Sequence, residues 1–299
     1  MLELRGSFVA LVTPMEEDGS ISWQHLYDLI DWHVDSGTAG IVVVGTTGES
    51  ATIDVSEHVQ MIEQSVDHAN SRIPIIAGTG ANSTKEAIYL TKAAKKVGAS
   101  AALLVTPYYN RPTQEGLTQH YSEIASEVDL PQILYNVPSR TGCDLLPETV
   151  ARLAKQNNII GLKESVSSLD RLELLKRELD SIPILDDFFL LSGDDQSSAQ
   201  FLNNGGHGTI SVTANLIPEK ISKICNLIFS DSKEEALKID AEISSLHEVL
   251  FIESSPIPVK WALNRLGRIP PGIRLPLTPL KKEYHSKVEN ILNYLGLVS

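Results

Sequence analysis

The chain has 299 residues, of which 42% are hydrophobic and 21% are charged, a usual balance for a globular protein with a sizeable core. Its formal net charge of −13 argues against non-specific nucleic-acid binding, although a locally positive site can still bind an anionic substrate. Residues 1–10 lack a signal-peptide-like apolar run, and no stretch approaches the roughly 20 apolar residues of a membrane span, so we expect a cytoplasmic location.

Short apolar runs alternate with longer amphipathic runs along the first 230 residues. The apolar runs predict strands at 8–12, 41–44, 74–77, 101–105, 133–135, 159–163, 188–191 and 209–212. The amphipathic runs predict helices at 22–36, 55–69, 83–97, 113–127, 147–155, 168–179, 196–203 and 218–229, with Ser22 placed to cap the first. Eight such units predict an α/β fold, the (β/α)8 TIM barrel. A doubly wound sheet is the alternative, but none of the turns has its GxGxxG pattern.

The strand pattern stops near residue 231, and helices are predicted at 233–249, 258–266 and 280–295. We therefore expect a catalytic barrel at residues 1–230 and a C-terminal helical appendage at residues 231–299. The apolar face of this appendage must pack on the barrel or on another subunit.

The sixth predicted strand ends at Lys163. Alternation along a strand places Ile159, Gly161 and Lys163 on one face, and Gly161 is expected to leave space beneath the lysine. An amine in that position loses hydration, which favours the neutral form that attacks a ketone to give a Schiff base. The alternative is a lysine that merely leaves the core and reaches water, and the stretch alone favours this alternative.

Active sites of such barrels lie at the C-terminal ends of the strands, and two strand ends there have reactive side chains. The GTTGES turn at 45–50 has two threonine hydroxyls that can donate to a carboxylate, although it also fits a plain strand-to-helix turn. Tyr135 shares the inward face with Ile133, where a phenol can pass protons. Arg140 can hold a carboxylate with two parallel hydrogen bonds, or it can form a surface ion pair.

The remaining strand ends favour structural roles. Tyr108 and Tyr109 lie between prolines in an aromatic loop, where packing at an interface is the alternative to a role in the site. Asp194 and Asp195 are predicted to be helix N-cap residues, and His207, between glycines, a turn residue.

No His, Asp or Glu group has the spacing of metal ligands. The two cysteines, Cys143 and Cys225, form neither a disulfide framework nor a metal cluster, so we expect free thiols.

Five motifs in a fixed order identify a family resemblance. They are GTTGES at 45–50, TPYYNRP at 106–112, YNVPSRTG at 135–142, GLKES at 161–165 and GGHGTISV at 205–212. Together they resemble the dihydrodipicolinate synthase family, which belongs with N-acetylneuraminate lyase to the pyruvate-dependent class I aldolases. The resemblance runs from about residue 6 to the C-terminus and includes PIPVK at 256–260. Each motif alone is weak evidence, but the ordered set is highly specific.

The resemblance implies a lyase without a cofactor or metal. It condenses pyruvate with L-aspartate 4-semialdehyde to 4-hydroxy-tetrahydrodipicolinate, in lysine and diaminopimelate biosynthesis. Lys163 is implied to form the Schiff base and Tyr135 to be the general acid and base. Thr46 and Tyr109 complete its proton relay, with Tyr109 supplied by the neighbouring subunit.

The resemblance also assigns the substrate contacts and the assembly. Thr47 is implied to bind the pyruvate carboxylate, and Arg140 the carboxylate of the second substrate. Gly193 and Ile210 contribute backbone carbonyl groups near the lysine. The family is usually a homotetramer, built as a dimer of dimers.

Bacterial members of the family often bind L-lysine as a feedback inhibitor in a cleft between subunits. The matching positions are Ser50, Ala51, Val55, His58, Asn82, Glu86 and Tyr108. Glu86 and His58 fit the inhibited pattern, whereas Val55 replaces a histidine that some inhibited members have. We hypothesise that L-lysine inhibits this chain.

Three other functions stay open from the sequence. A sugar-acid lyase of the same superfamily is the nearest, and Arg140 together with Tyr109 argues against it. A non-catalytic keto-acid binder and a metal-dependent barrel enzyme are the others. Residues 181–187 are interpreted as an insertion relative to the usual family spacing, and no function is assigned to them.

Overall fold

The computed structural model describes residues 2–182 and 188–298. Eight parallel strands in sequence order form a closed barrel, with β1 paired to both β2 and β8. The strands are β1 (Gly6–Ala10), β2 (Gly40–Val43), β3 (Ile75–Gly78), β4 (Ala101–Val105), β5 (Gln132–Asn136), β6 (Ile159–Glu164), β7 (Phe189–Ser192) and β8 (Gly208–Ser211). The predicted (β/α)8 barrel is confirmed. Residues 183–187, most of the predicted insertion, lie outside the described residues.

Helices follow the strands and cover the barrel. They are α1 (Trp23–Asp35), α2 (Val55–Ala69), α3 (Thr84–Lys96), α4 (Gln114–Glu127), α5 (Pro138–Thr141), α6 (Pro147–Leu153), α7 (Leu169–Asp180), α8 (Ser198–Asn203), α9 (Pro218–Phe229), α10 (Lys233–Val249), α11 (Ile257–Arg265) and α12 (Lys282–Tyr294). The short helix α5 was not predicted. Throughout the two described ranges, no helix combines the length and apolar character required to cross a membrane.

The predicted cap of α1 is wrong in its detail. Ser22 precedes the helix, but its side chain makes no capping hydrogen bond. Its hydroxyl instead lies 2.8 Å from Nδ1 of His25, inside the first turn. Asp54 at α2 does cap, because its carboxylate accepts the N–H groups of Ser56 and Glu57.

Two apolar clusters form the core, one on each side of the barrel wall. The inner one lies inside the ring of strands and includes Phe8, Val42, Ile76, Leu103 and Ile210. The outer, larger cluster lies between the strands and the helices. Successive strand residues point to opposite faces, so each strand contributes to both clusters. The inner cluster fills the interior of the barrel, and the site is expected above it, at the C-terminal ends of the strands.

The β5–β6 pairing contains an irregularity that changes the faces of β6. Gln132 pairs with Ile159, but the next residue, Ile133, pairs with Gly161. Ile160 is therefore an extra residue on β6, and it packs in the inner cluster while Ile159 packs in the outer one. The prediction that Ile159 shares the face of the lysine is wrong, because this bulge shifts the alternation by one residue.

The prediction that Gly161 leaves space beneath Lys163 is wrong. A Cβ atom on Gly161 would lie 2.7 Å from the carbonyl oxygen of Phe189 and 3.5 Å from Cδ1 of Leu4. The glycine therefore permits the close approach of β6 and β7, and Leu4 fills the volume inside the barrel.

The C-terminal helices are tied to the turn after β2 by buried charges. Lys260 of α11 forms an ion pair with Glu49, and both side chains are buried. The backbone N–H of Arg274 donates to the same carboxylate, at 3.1 Å, and its guanidinium holds Glu57 with two hydrogen bonds of 2.6 and 2.7 Å. Burial lowers the pKa of Lys260, while the Glu49 carboxylate opposes that shift. The appendage therefore supports the loop that has Thr46 and Thr47.

Candidate active site

A cavity of about 530 Å³ opens at the C-terminal ends of the strands. Its walls include the predicted site residues Thr46, Thr47, Tyr135, Arg140, Lys163 and Gly193. Phe251, Ser254 and Ser255, which follow α10, form a further wall that the sequence did not reveal. The fold thus brings most of the predicted residues into one place, as expected for a barrel of this kind.

Lys163 and Tyr135 form the floor of the cavity. They are register partners on β6 and β5, with exposures of only 5% and 7%. Nζ of Lys163 lies 4.3 Å from the centre of the Tyr135 ring, within the range of a cation–π contact. The amine therefore lies beside a phenol and next to the apolar interior of the barrel.

Gly193 gives the lysine side chain its space. A Cβ atom at this position would lie 2.8 Å from Cε of Lys163 and would collide with Oγ of Ser165. Oγ of Ser165 is buried and has no hydrogen-bond partner among the described residues. Any residue larger than glycine at position 193 would displace the amine.

The GTTGES turn is rigid. Gly48 donates to the carbonyl oxygen of Gly45 at 3.0 Å, and the hydroxyl of Thr13 donates to the carbonyl of Gly48 at 2.7 Å. Thr47 is buried, whereas Thr46 is half-buried, and both line the cavity. The two hydroxyls are therefore presented to the cavity from a fixed backbone, which suits recognition of a carboxylate.

Arg140 lies at the mouth of the cavity. It is exposed, and α5 positions it on the rim. Its guanidinium donates to the carbonyl oxygen of Ser255 at 3.3 Å. This contact leaves other N–H groups of the guanidinium available for a carboxylate at the entrance.

The structure does not place Tyr109 or Ile210 in the cavity wall. The Tyr109 side chain is 91% exposed, and its backbone has a φ of +74°, in the left-handed region. Ile210 is buried in the inner cluster, two residues before Val212, which does line the cavity. The described chain alone therefore leaves the predicted roles of both residues untested.

The two aspartates after β7 have different partners. Asp194 accepts the N–H of Ser197 at 3.0 Å, so the predicted cap is confirmed for this residue. The prediction is wrong for Asp195, whose carboxylate accepts the N–H groups of Val212 and Thr213, each at 2.9 Å. Asp195 thus fastens the loop after β8 to the end of β7.

Within residues 2–182 and 188–298, no three His, Cys, Asp or Glu side chains are grouped so as to hold a metal ion. His207 has a structural partner, since its Nδ1 accepts the N–H of Leu190 at 3.0 Å. Cys143 and Cys225 are free thiols, and burial raises the pKa of Cys225 to about 12.

A second cavity of about 500 Å³ adjoins the first and shares Thr46 and Arg140 with it. Ser50, Ala51 and Tyr108, from the predicted inhibitor cleft, line this second cavity. The two cavities therefore meet at residues of the candidate active site.

The other residues of the predicted cleft differ in position. Asn82 donates its side-chain amide to the carbonyl oxygen of Tyr108 at 3.2 Å. Burial, with the nearby charge of Glu86, raises the pKa of Tyr108. His58 instead is buried, and its Nε2 lies 2.7 Å from the carbonyl oxygen of Gly78. Asn82 and Glu86 thus lie close to Tyr108, whereas the ring of His58 is engaged with the barrel.

Known proteins match nearly the whole chain. The Dihydrodipicolinate synthetase family matches residues 3–295. The 4-hydroxy-tetrahydrodipicolinate synthase of Teredinibacter turnerae is 53% identical over 294 residues, covering 98% of this chain and 99% of that protein. A crystal structure of the chloride-inhibited dihydrodipicolinate synthase of Acinetobacter baumannii, complexed with pyruvate, has a TM-score of 0.95 and 50% identity, covering 99% of this chain and 100% of that one. The enzyme of Cyanidioschyzon merolae with lysine bound has a TM-score of 0.92 and 37% identity, covering 98% of this chain and 99% of that one.

Proposed function

The chain belongs to the Dihydrodipicolinate synthetase family, and we propose that it condenses pyruvate with L-aspartate 4-semialdehyde to give 4-hydroxy-tetrahydrodipicolinate. The enzyme is a lyase whose product enters lysine and diaminopimelate biosynthesis. The observation that supports this chemistry best is the buried Lys163 amine beside the Tyr135 phenol, at the floor of a cavity with hydroxyls and a guanidinium around it.

Lys163 provides the electron sink. Its neutral amine adds to the pyruvate carbonyl, and loss of water gives an iminium. The positive nitrogen makes the methyl group acidic, and the resulting enamine attacks the aldehyde carbon of the second substrate. The amino group of that substrate then displaces Nζ as the ring closes, so the lysine is regenerated and one water is released overall. The lysine alone supplies the electrophilic catalysis that a cofactor or metal provides elsewhere.

Each of these steps moves a proton, and Tyr135 is the general acid and base that moves it. Its ring lies against the amine, so the phenol is close to the bonds that form and break. A phenol is a weak acid, and partners that accept and donate hydrogen bonds let it work near neutral pH. Thr46, in the same cavity, is one partner, and Tyr109 of a neighbouring copy is the other.

Two groups bind the substrate carboxylates. Thr47, buried in the rigid turn, binds the carboxylate of pyruvate, and Arg140 at the mouth binds that of L-aspartate 4-semialdehyde. Gly193 and Ile210 contribute backbone carbonyl groups beside the lysine. These assignments put the keto acid on the floor and the aldehyde substrate on the side of the entrance.

The exposure of Tyr109 supports a dimer in which this residue enters the partner's site. A tyrosine that is 91% exposed in one chain, in a left-handed backbone conformation, is well placed to reach across an interface. We extend this dimer to a homotetramer, a dimer of dimers, in the cytoplasm. The catalytic barrel of residues 1–230 and the helical region of residues 231–299 act together, because the second region contributes Ser254 and Ser255 to the cavity.

L-Lysine inhibits the enzyme at the second cavity in this proposal. A lysine-bound relative supports it, as does the proximity of the Glu86 charge to Tyr108 and the cavity. A carboxylate and a phenol suit the ammonium groups of lysine. Because the second cavity shares Thr46 and Arg140 with the first, an occupant there can affect catalysis directly.

A substrate comparison tests the reaction. The purified chain is incubated with pyruvate and L-aspartate 4-semialdehyde, and separately with N-acetylneuraminate, and products are identified by mass spectrometry. We expect condensation in the first incubation and no cleavage in the second. Cleavage of N-acetylneuraminate without condensation would assign the chain to the sugar-acid lyases. If neither reaction takes place, the chain would be a keto-acid binder.

A further inference from the structure

Directly outside the catalytic pair lies a second pair of buried polar residues. Asn136 follows Tyr135 on β5, Glu164 follows Lys163 on β6, and the two are register partners. The amide nitrogen of Asn136 donates to both carboxylate oxygens of Glu164, at 3.0 and 3.1 Å. Both side chains are almost completely buried. Successive strand residues point to opposite faces, so this pair lies outside the barrel wall and the catalytic pair inside.

An arginine from α7 joins this pair to the loop after β5. Nε of Arg171 donates to Glu164 at 3.0 Å, and its terminal nitrogens donate to Asp144 at 2.8 and 3.2 Å. Asp144 also accepts from the amide of Asn136 at 2.7 Å. We call these four residues, Asn136, Asp144, Glu164 and Arg171, the outer clamp.

The buried charges of the outer clamp are not explained by the stability of the fold alone. The outer clamp buries a guanidinium against one fully buried carboxylate and one that is 37% exposed. Removing charged groups from water costs free energy, and apolar side chains of similar volume often stabilise a core equally well. What the charged network adds is geometry, since the planar guanidinium fixes the positions of two carboxylates at once.

We propose that the outer clamp is a positioning device that holds Tyr135 and Lys163 in register for proton transfer. The proposal rests on the function proposed above. Because Asn136 and Glu164 are covalent neighbours of the catalytic pair, fixing their side chains fixes the peptide planes from which the phenol and the amine project. Thr47, which binds the pyruvate carboxylate, lies on the turn after β2 and outside the clamp, so loosening the clamp leaves that contact in place and affects the chemical steps at Lys163 and Tyr135.

The test compares two lysine substitutions on the same helix. Arg171→Lys keeps the buried charge but loses the planar fork, and Arg177→Lys makes the same change at an exposed position paired with Glu178. We expect Arg171→Lys to lower kcat by about 10-fold or more, because a misplacement of about 1 Å can cost 100-fold in rate. The KM for pyruvate should stay within about two-fold of wild type, since the contact between Thr47 and the pyruvate carboxylate is unchanged. Arg177→Lys should match wild type in both constants.

Thermal unfolding of each variant separates positioning from simple support, and kinetics are measured where all variants are fully folded. If Arg171→Lys does not fold, Glu164→Gln replaces it, because Arg171 then keeps Asp144 as its counter-ion. Wild-type kcat in the folded clamp variant would overturn the proposal, as would a loss confined to the KM for pyruvate. Borohydride trapping of pyruvate on wild-type Lys163 is run in parallel. Its failure would reject the proposed function itself, whereas successful trapping with an unaffected clamp variant rejects only the clamp.

Discussion

Nζ of Lys163 lies 4.3 Å from the centre of the Tyr135 ring, and the two residues are register partners on adjacent strands of the barrel. Imine formation and proton transfer can therefore take place in one small volume. Thr46 and Thr47 enter this volume from the turn after β2, and Arg140 from the short helix after β5.

Tyr135→Phe should lower kcat by about 100-fold or more while changing pyruvate affinity far less, because general acid–base groups typically contribute that much to the rate. The ring that packs against Lys163 is retained, so the loss reports on the hydroxyl alone. Steady-state kinetics together with pyruvate titration measure both effects. Tyr121→Phe is the matched control, since its hydroxyl bonds the carbonyl of Leu104 away from the cavity. Near wild-type turnover in Tyr135→Phe would refute the proton relay.

Tyr109 should act in the site of the neighbouring subunit. Lys163→Ala and Tyr109→Phe are each expected to have little activity alone. When the two are mixed, unfolded and refolded together, activity should recover to roughly a quarter of wild type, because half of the symmetric dimers are mixed and one of their two sites is intact. If Tyr109 serves its own chain, no mixed dimer has an intact site. A mixture as inactive as its parents would then reject the shared site.

L-Lysine should inhibit the enzyme, and Glu86→Gln should weaken the inhibition by about 10-fold, a typical loss for one hydrogen bond to a charged group. An activity titration with L-lysine, at fixed substrate concentrations, measures the inhibition of the wild type and of Glu86→Gln. Glu63→Gln, at an exposed position of α2, is the control for the loss of one negative charge. A wild-type titration that stays flat into the millimolar range would refute regulation by lysine.

The fold should lose stability in acid because of its buried histidines. Burial lowers the pKa of His33 to about 3 and that of His120 to about 4, from an ordinary 6.5. These lowered values mean that the unfolded chain binds protons below 6.5 while the folded chain does not. The free energy of unfolding is therefore unaffected by these two histidines above pH 6.5. It falls as the pH drops towards 3, by about 2 kcal/mol for each histidine at pH 5.

Denaturant unfolding at pH 7.5 and pH 5 measures this loss. His33→Leu should show a smaller fall between the two pH values than wild type. His25→Leu, at a less buried position, should fall as wild type does. Parallel losses in wild type and His33→Leu would show that another group causes the acid sensitivity.

Much of the fold and part of the site could be predicted from the sequence. Alternating apolar and amphipathic runs are local, so they predicted the eight strands and the helices between them. The end of each strand then indicated where Lys163, Tyr135 and Arg140 meet. The bulge at Ile160 could not be predicted, because it depends on how β6 pairs with β5 and not on the composition of β6.

Contacts between distant parts of the chain could also not be predicted from the sequence. The residues around Asp195 predict a helix cap, but its hydrogen-bond partners come from the loop after β8. Ser254 and Ser255 reach the cavity only because the C-terminal helices pack back on the barrel. The ion pair of Glu49 and Lys260 joins residues 211 positions apart, and neither has a local sequence pattern that indicates its partner.

Borohydride trapping shows whether Lys163 forms a covalent intermediate with pyruvate, on which every later step of the reaction depends. The chain is incubated with pyruvate and sodium borohydride, digested, and analysed by peptide mass spectrometry, with Lys163→Arg as the control. We expect a reduced pyruvate adduct on Lys163 and none in the variant. A folded wild-type chain without an adduct on Lys163, or with its adduct on another lysine, would refute the Schiff-base role of Lys163.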